Sequence, residues 1–196
     1  MKAVLVSKNA NKARELTVLL PGWEIEPIDV DALPEETGET FYENALAKAS
    51  FGRAIAEGDD WVLGEDSGLE VEGLGGRPGI FSARYAGPGA TDGENVAKLL
   101  AELDGIAGDG RRARYVCELV GLASDGSERR GTGTLEGRIA AAPRGSAGFG
   151  YDPVFVPEGE ERTVAELGDA WKAERSHRAV AARNLLAAVG SGAAGR

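Results

Sequence analysis

The 196-residue chain is poor in cysteine, in histidine and in positive charge, and each scarcity excludes a class of protein. One cysteine, Cys117, cannot form an internal disulfide or a cysteine zinc site, and one histidine, His177, cannot form a histidine ligand cluster. With 22 basic against 32 acidic side chains, the net charge of −10 argues against a nucleic acid polymer as partner, because such polymers are bound by basic surfaces. A small phosphorylated ligand, which needs only a few local cations, is compatible with this charge.

Long apolar runs and the common nucleotide motifs are also missing. No segment approaches the roughly 20 apolar residues that cross a membrane, and the apolar residues 3–6 are followed too soon by Lys8 to form a secretory signal. We therefore expect a cytoplasmic protein with no membrane partner. A Gly-x-Gly-x-x-Gly occurs at Gly190, Gly192 and Gly195, but no helix follows it to bind a dinucleotide phosphate.

The order of apolar patterns predicts a mixed α/β fold in one domain of residues 1–189, followed by a disordered tail at 190–196. The predicted strands are 3–6, 23–28, 61–63, 69–71, 114–123, 127–139 and 154–156. The predicted helices are 11–20 with Asn9 or Asn11 as N-cap, 40 to about Glu57, 91 to about Leu103, and a last one beginning at Ser176. Residues 73–90 are predicted as a loop punctuated by glycine and proline.

The first polar segment follows the first predicted strand and opens the first predicted helix. Hydroxyl, amide, backbone N–H and ammonium groups at a helix N-terminus suit a phosphate. An ordinary helix cap with solvated lysines would use the same residue types. The segment comprises Ser7, Lys8, Asn9, Ala10, Asn11 and Lys12.

Two acidic pairs, Glu35-Glu36 and Glu65-Asp66, are the second polar feature. Carboxylates at the ends of buried strands are the ligands that Mg²⁺ prefers, whereas solvated turns are the alternative for either pair alone. Glu36 and Asp66 form a magnesium site only if the fold brings them together.

The third feature is an aromatic segment between glycines, Gly148 to Pro153. Flanking glycines let a flat ligand approach Phe149 closely, although the aromatic residues of this segment would equally serve a core. His177 and Arg178 lie at a predicted helix start, where they can donate hydrogen bonds to carbonyl oxygens.

Together, five ordered segments resemble the inosine triphosphate pyrophosphatase family of non-canonical purine nucleotide hydrolases. The resemblance extends from about residue 4 to residue 189 and is completed by Lys172 and Ser176-His177-Arg178. The five segments are Ser7 to Lys12 with Glu15, Glu36 to Phe41 with 43–45 and 48–49, Asp66 to Leu69, Gly76 to Gly79 with 82–87, and Gly148 to Pro153.

The resemblance implies a long curved mixed sheet flanked by helices, two lobes with a central substrate cleft, and a homodimer. It implies Mg²⁺-dependent hydrolysis of ITP, dITP or XTP to the monophosphate and pyrophosphate. Glu36 and Asp66 are implied to bind the metal, and Asp66 and Lys12 to be catalytic, with Asp66 as the base for the attacking water. The residues implied to bind substrate are Ser7, Lys8, Asn9, Ala10, Asn11, Lys12 and Lys172 at the phosphates, Ser67, and Phe149, Gly150, Tyr151, Asp152, His177 and Arg178 around the purine.

The chain departs from the family at Glu65, where Asp is usual, and this leaves a metal role for that position open. Two other functions also stay open. A Maf-type pyrophosphatase would act on dTTP or UTP, although the segments around Phe149 and Ser176 argue against it. A non-catalytic nucleotide-binding protein would keep the site without turnover.

Overall fold

The computed structural model describes residues 1–56 and 58–193 and confirms a mixed α/β fold. The strands are β1 (Lys2–Val6), β2 (Glu24–Pro27), β3 (Trp61–Val71), β4 (Pro78–Gly79), β5 (Arg112–Leu122), β6 (Glu128–Ile139) and β7 (Phe155–Pro157). The α-helices are α1 (Ala10–Leu19), α2 (Phe41–Ile55), α3 (Asp92–Glu102), α4 (Val164–Arg175) and α5 (His177–Ala193). The described strands form one sheet in the order β2-β1-β3-β5-β6-β7, with β4 beside β3. None of the described helices is long and apolar enough to cross a membrane.

The chain divides into two compact units, each with its own apolar core. The first unit comprises the described residues of Met1–Asp66, Cys117–Gly133 and Arg178–Arg196, and the second comprises Ser67–Val116 and Thr134–His177. The core of the first unit includes Leu5, Leu16, Leu20, Leu63, Leu119 and Leu185. The core of the second unit includes Leu69, Val71, Leu99, Tyr115, Ile139 and Phe155.

In the first unit, strand register brings two polar segments to the same edge of the sheet. β1 pairs in parallel with both β2 and β3, and Val6 lies opposite Gly64. Because β1 ends at Val6, opposite Gly64, the turn after Val6 lies beside Glu65 and Asp66 within the longer strand β3. Helix α2 packs closely on β3 at Gly64, where a Cβ atom would lie 2.0 Å from the carbonyl oxygen of Ala45. Only glycine permits this approach, which brings the polar face of α2 to Asp66 inside β3.

The second unit is built on antiparallel pairs. β4 pairs with β3, with Gly79 opposite Leu69, and β7 pairs with β6, with Phe155 opposite Ile139. Helix α4 was not among the predicted helices, and Gly168 interrupts it with a non-helical backbone (φ 83°). Its capping box of Thr163 and Glu166 is the sequence signal that identifies this helix.

Two sequence predictions are corrected by the structure. The segments 61–63 and 69–71 belong to one strand, β3, so Glu65 to Gly68 lie in a strand and not in a solvated turn. The strand continues through these polar residues because partners far along the chain satisfy their side chains. The predicted loop 73–90 contains β4 and a 3₁₀ turn at Ser82–Arg84.

Several helix boundaries are also settled. Asn9 is the N-cap of α1, and the predicted capping boxes at Thr40 and Thr91 are both formed. Helix α2 ends at Ile55, and Glu57, its predicted end, lies outside the described residues. Helix α5 includes residues 190–193, which the sequence assigned to a tail, while 194–196 lie outside the described residues.

Candidate active site

Glu36 and Asp66, the two predicted metal ligands, meet at the ammonium group of Lys48. Glu36 Oε1 lies 2.5 Å and Asp66 Oδ1 lies 3.0 Å from Lys48 Nζ. Asn44, one turn earlier on the same face of α2, donates from Nδ2 to Asp66 Oδ2 at 3.3 Å. The fold therefore brings together two carboxylates that are 30 residues apart in the sequence (66 minus 36).

The loop that carries Glu36 is attached to the start of α2. The Gly38 N–H donates to Asn44 Oδ1 at 2.9 Å, and the Glu39 N–H donates to Glu43 Oε2 at 2.6 Å. Asn44 thus contacts both the loop and Asp66. The sequence places Asn44 and Lys48 on one face of a capped helix, but neither was among the predicted site residues.

At both Asp66 and Lys48, burial and neighbouring charges shift the pKa in opposite directions. Asp66 is 4% exposed, and burial raises the pKa of its carboxyl more than the charges of Lys48 and Lys12 lower it. For Lys48, burial alone would lower the pKa, but Asp66 and Glu36 together raise it above its usual value. Lys48 therefore stays charged at neutral pH, and Asp66 is a stronger base than an aspartate in water.

Glu65 belongs to a different cluster, because neighbouring residues in a strand face opposite sides of the sheet. Its Oε2 atom lies 2.6 Å from Lys12 Nζ, and its Oε1 atom lies 3.0 Å from Arg178 Nη2. Cys117 Sγ donates to the same Oε1 atom at 3.4 Å. Burial opposes ionisation, yet Lys12 and Arg178 hold the pKa of Glu65 well below its usual range. Glu65 is thus engaged by two cations of the first unit.

Arg178, which the resemblance assigns to the purine, is 1% exposed and is bound by two carboxylates. Besides Glu65, its Nη1 atom contacts the carboxylate of Glu15. The structure therefore groups Arg178 with Glu15, Glu65 and Lys12.

The segment from Ser7 to Lys12 forms the predicted turn from strand to helix. Ser7 Oγ accepts from the Asn9 N–H at 3.1 Å, and Asn9 Oδ1 accepts from the N–H groups of Asn11 and Lys12 at 3.0 and 3.3 Å. Ala10 is the first residue of α1. Lys8 is exposed and donates to the carbonyl of Asp31, so the two lysines of the segment have different partners.

In the second unit, Lys172 lies with residues predicted for the purine. Its Nζ atom is 2.7 Å from Asp152 Oδ2 and 4.7 Å from the centroid of the Phe149 ring. The side chains of Lys172 and Asp152 are each 5% exposed, so the ion pair is buried. The resemblance assigns Lys172 to the phosphates and assigns Asp152 and Phe149 to the purine, so these contacts join residues of the two implied groups.

The segment around Phe149 has a backbone that its glycines permit. Gly148 and Gly150 have φ values of 78° and 62°, which other residues rarely adopt. The Phe149 N–H donates to Asp152 Oδ2 at 3.0 Å. Tyr151 is a core residue whose hydroxyl donates to the carbonyl of Ser82 at 2.8 Å, and burial raises its pKa. Phe149, by contrast, is only partly buried.

Tyr115 contacts both Asp152 and His177, and the sequence did not identify it as a site residue. Its hydroxyl donates to Asp152 Oδ1 at 3.3 Å, and its ring stacks on the His177 ring at 4.5 Å with 6° between the planes. Tyr115 lies in the apolar-polar alternation of β5, where no motif distinguishes it from an ordinary core residue. Ser67, in β3, is partly buried.

The chemistry of the Glu36 and Asp66 pair fits a magnesium ion. Both side chains offer only oxygen atoms, and both already converge on one positive charge, that of Lys48. Mg²⁺ is usually held by one or two carboxylates together with water and phosphate oxygens. Across residues 1–56 and 58–193, no group of three or more His, Cys, Asp or Glu side chains is arranged to hold a metal ion.

Comparison with known proteins gives consistent matches over most of the chain. The model of the Ham1 family matches residues 3–188. The chain is 50% identical over 151 residues to a dITP/XTP pyrophosphatase of Bdellovibrio bacteriovorus, covering 77% of this chain and 75% of the relative. It is 42% identical to a dITP/XTP pyrophosphatase of Bacillus licheniformis, covering 95% and 97%. The structure of a HAM1 protein from Coxiella burnetii superposes with a TM-score of 0.83 at 38% identity, covering 97% and 99%.

Proposed function

Because the chain belongs to the Ham1 family, we propose that it hydrolyses the non-canonical purine nucleotides ITP, dITP and XTP to the monophosphate and pyrophosphate. The observation that carries this proposal is the convergence of Glu36 and Asp66 on Lys48, beside the strand-to-helix turn that ends in Lys12. Curated relatives named dITP/XTP pyrophosphatase support dITP and XTP as substrates.

The triphosphate is bound by the turn from Ser7 to Lys12. An N-terminal helix end carries partial positive charge, and Lys12 adds an ammonium. Glu65 positions this ammonium, with its Oε2 atom 2.6 Å from Lys12 Nζ. The Lys12 charge then stabilises the negative charge that develops on the phosphates during the reaction.

Asp66 accepts the proton of the attacking water. The water oxygen bonds to the α-phosphorus, the bond from that phosphorus to the bridging oxygen breaks, and pyrophosphate leaves. A carboxylate can accept this proton, and the contacts with Lys48 and Asn44 hold Asp66 in place for this role. Lys48 stays protonated and holds Asp66 and Glu36 in place. Glu36 and Asp66 would hold Mg²⁺, which would neutralise charge on the leaving pyrophosphate when bound.

The purine of the nucleotide is bound by the residues around Phe149. The Phe149 ring stacks on the purine, and Lys172, fixed by Asp152, donates to the 6-oxo oxygen. His177, whose ring stacks on that of Tyr115, is a further donor. The 6-amino group of ATP cannot accept these hydrogen bonds, so the donors would lose their partner.

We propose three further properties on the strength of family membership. The enzyme depends on Mg²⁺, it is a homodimer, and it acts in the cytoplasm, where the free thiol of Cys117 is stable. Light scattering coupled to size-exclusion chromatography tests the dimer, and a single-chain mass in that measurement would contradict it.

The decisive experiment measures pyrophosphate release from ITP, dITP, XTP, GTP, ATP and dTTP, each with Mg²⁺ and with EDTA. We expect release from the first three that EDTA abolishes. Release mainly from dTTP would replace the proposal with a Maf-type activity. No release from any nucleotide, together with measurable ITP binding, would make the protein a non-catalytic nucleotide binder.

A further inference from the structure

We propose that Asp92 is a positioning residue that orients the Phe149 ring for the purine, and this inference rests on the proposed function. Asp92 is the first residue of α3, and its Oδ2 atom accepts a hydrogen bond from the Gly150 N–H at 2.7 Å. The two residues are 58 positions apart, so a distant part of the chain restrains the backbone next to Phe149. A carboxylate that accepts from a backbone N–H forms one of the stronger classes of hydrogen bond.

The carboxylate of Asp92 is not needed to cap its own helix. The N-cap of α3 is Thr91, whose Oγ1 atom accepts from the Glu94 N–H at 3.3 Å. The Glu94 carboxylate returns the contact by accepting from the Thr91 N–H at 2.8 Å. Since this reciprocal pair caps the helix, capping does not explain why the Asp92 carboxylate binds the Gly150 N–H.

The contact matters because Phe149 lies between two flexible residues. Gly148 and Gly150 have positive φ values, and glycine samples many more backbone conformations than other residues. Two carboxylates restrain this segment at consecutive N–H groups: Asp152 binds the N–H of Phe149, and Asp92 binds the N–H of Gly150. The peptide groups on both sides of Phe149 are therefore fixed, and with them the direction of its side chain.

The start of α3 fixes a second loop of the same unit in a similar way. Asn95, one turn after Asp92, donates from Nδ2 to the carbonyl of Ala83 at 3.2 Å and accepts from the Ala86 N–H at 2.8 Å. The first turn of α3 thus anchors two segments through side chains that the helix itself does not use. This supports a positioning role for Asp92.

Three variants test the proposal: Asp92→Ala, Asp92→Asn and Glu94→Ala. We expect Asp92→Ala to raise KM for dITP and XTP alike by about fivefold or more, with a much smaller change in kcat. Asp92→Asn retains a carbonyl oxygen that can accept from Gly150, so it should recover most of the lost affinity. Glu94→Ala removes the capping box while leaving Asp92 in place, so it should lower the midpoint of thermal unfolding without raising KM.

Amide NMR gives a readout that does not depend on turnover. We expect the Gly150 amide of the wild-type protein to be protected from exchange and to lose protection in Asp92→Ala but not in Glu94→Ala. Unchanged protection in Asp92→Ala, or an equal rise in KM in the two alanine variants, would overturn the proposal. A wild-type protein that hydrolyses none of the purine nucleotides would instead overturn the proposed function, because the exchange of Gly150 is measured without substrate.

Discussion

Glu65 Oε2 lies 2.6 Å from Lys12 Nζ, and this buried ion pair joins β3 to the first turn of α1. The second oxygen of the same carboxylate binds Arg178, so one acid holds two cations. Asp66, the next residue, faces the opposite side of the sheet and binds Lys48. The acidic pair therefore has two separate tasks: Glu65 positions cations, and Asp66 contributes the carboxylate that we assign to catalysis.

The first prediction concerns the charge of Glu65. Glu65→Gln should lower the free energy of unfolding by about 3 kcal/mol, because it removes the buried anion that binds Lys12 and one of the two carboxylates that bind Arg178. Urea denaturation monitored by tryptophan fluorescence measures this loss. Glu70→Gln, which breaks the exposed pair with Arg114, is the matched control and should cost under about 1 kcal/mol. Equal stability of the two variants would contradict the role of Glu65.

The second prediction concerns Lys12. Lys12→Ala should raise KM for ITP and lower kcat, because the ammonium binds phosphate and also stabilises the charge that develops on it. Lys12→Arg keeps the positive charge and should retain part of the activity. Steady-state pyrophosphate release gives both constants. An unchanged KM in Lys12→Ala would remove this lysine from the phosphate site.

Local signals in the sequence predicted much of the fold. Capping boxes at Thr40 and Thr91 identified helices α2 and α3, and apolar-polar alternation identified strands β5 and β6. The ends of these elements in the structure lie within a few residues of the predicted ends. Such features depend on neighbours in the chain. The continuity of β3 could not be predicted in this way. Its central Glu65 and Asp66 are polar, and the cations that allow their burial come from α1, α2 and α5.

In the candidate site, too, local sequence signals were predictable and tertiary contacts were not. Glu36 and Asp66 could be named from motif segments, but their shared contact with Lys48 depends on the packing of α2 against Gly64. Tyr115 carries no motif, and only the tertiary fold puts its hydroxyl next to Asp152. The sequence therefore does not predict the contacts between site side chains that are far apart along the chain.

The third prediction concerns Asp66. Asp66→Asn should reduce kcat by about 10³-fold, since the amide cannot accept the proton of the attacking water. The amide should leave the fold intact, because it still accepts from Lys48 and because burial already disfavours the charged form. Circular dichroism and thermal unfolding check the fold beside the kinetic assay. Retained turnover would exclude Asp66 as the base.

The fourth prediction concerns alkaline stability. Burial and the hydrogen bond to Glu102 raise the pKa of Tyr85 from 10.0 to about 12. Above pH 10 the unfolded chain loses this proton before the folded chain does, so the stability that Tyr85 contributes is present below pH 10 and is lost as pH rises through about 12. Tyr85→Phe should therefore show a shallower fall in unfolding free energy across that range. The same slope as the wild-type protein would contradict the shifted pKa.

The fifth prediction separates stacking from hydrogen bonding at the base. Phe149→Ala should raise KM for ITP, dITP and XTP by about tenfold, because one stacked base contributes roughly 1–3 kcal/mol. All three substrates should be affected equally, since a ring face does not distinguish their exocyclic groups. Phe149→Tyr preserves the ring and should keep KM near the wild-type value. Lys172→Met, in contrast, should reduce the preference for ITP over ATP, because it removes a donor that only the 6-oxo group can use. A normal KM for ITP in Phe149→Ala would refute stacking and leave Lys172 as the basis of purine recognition.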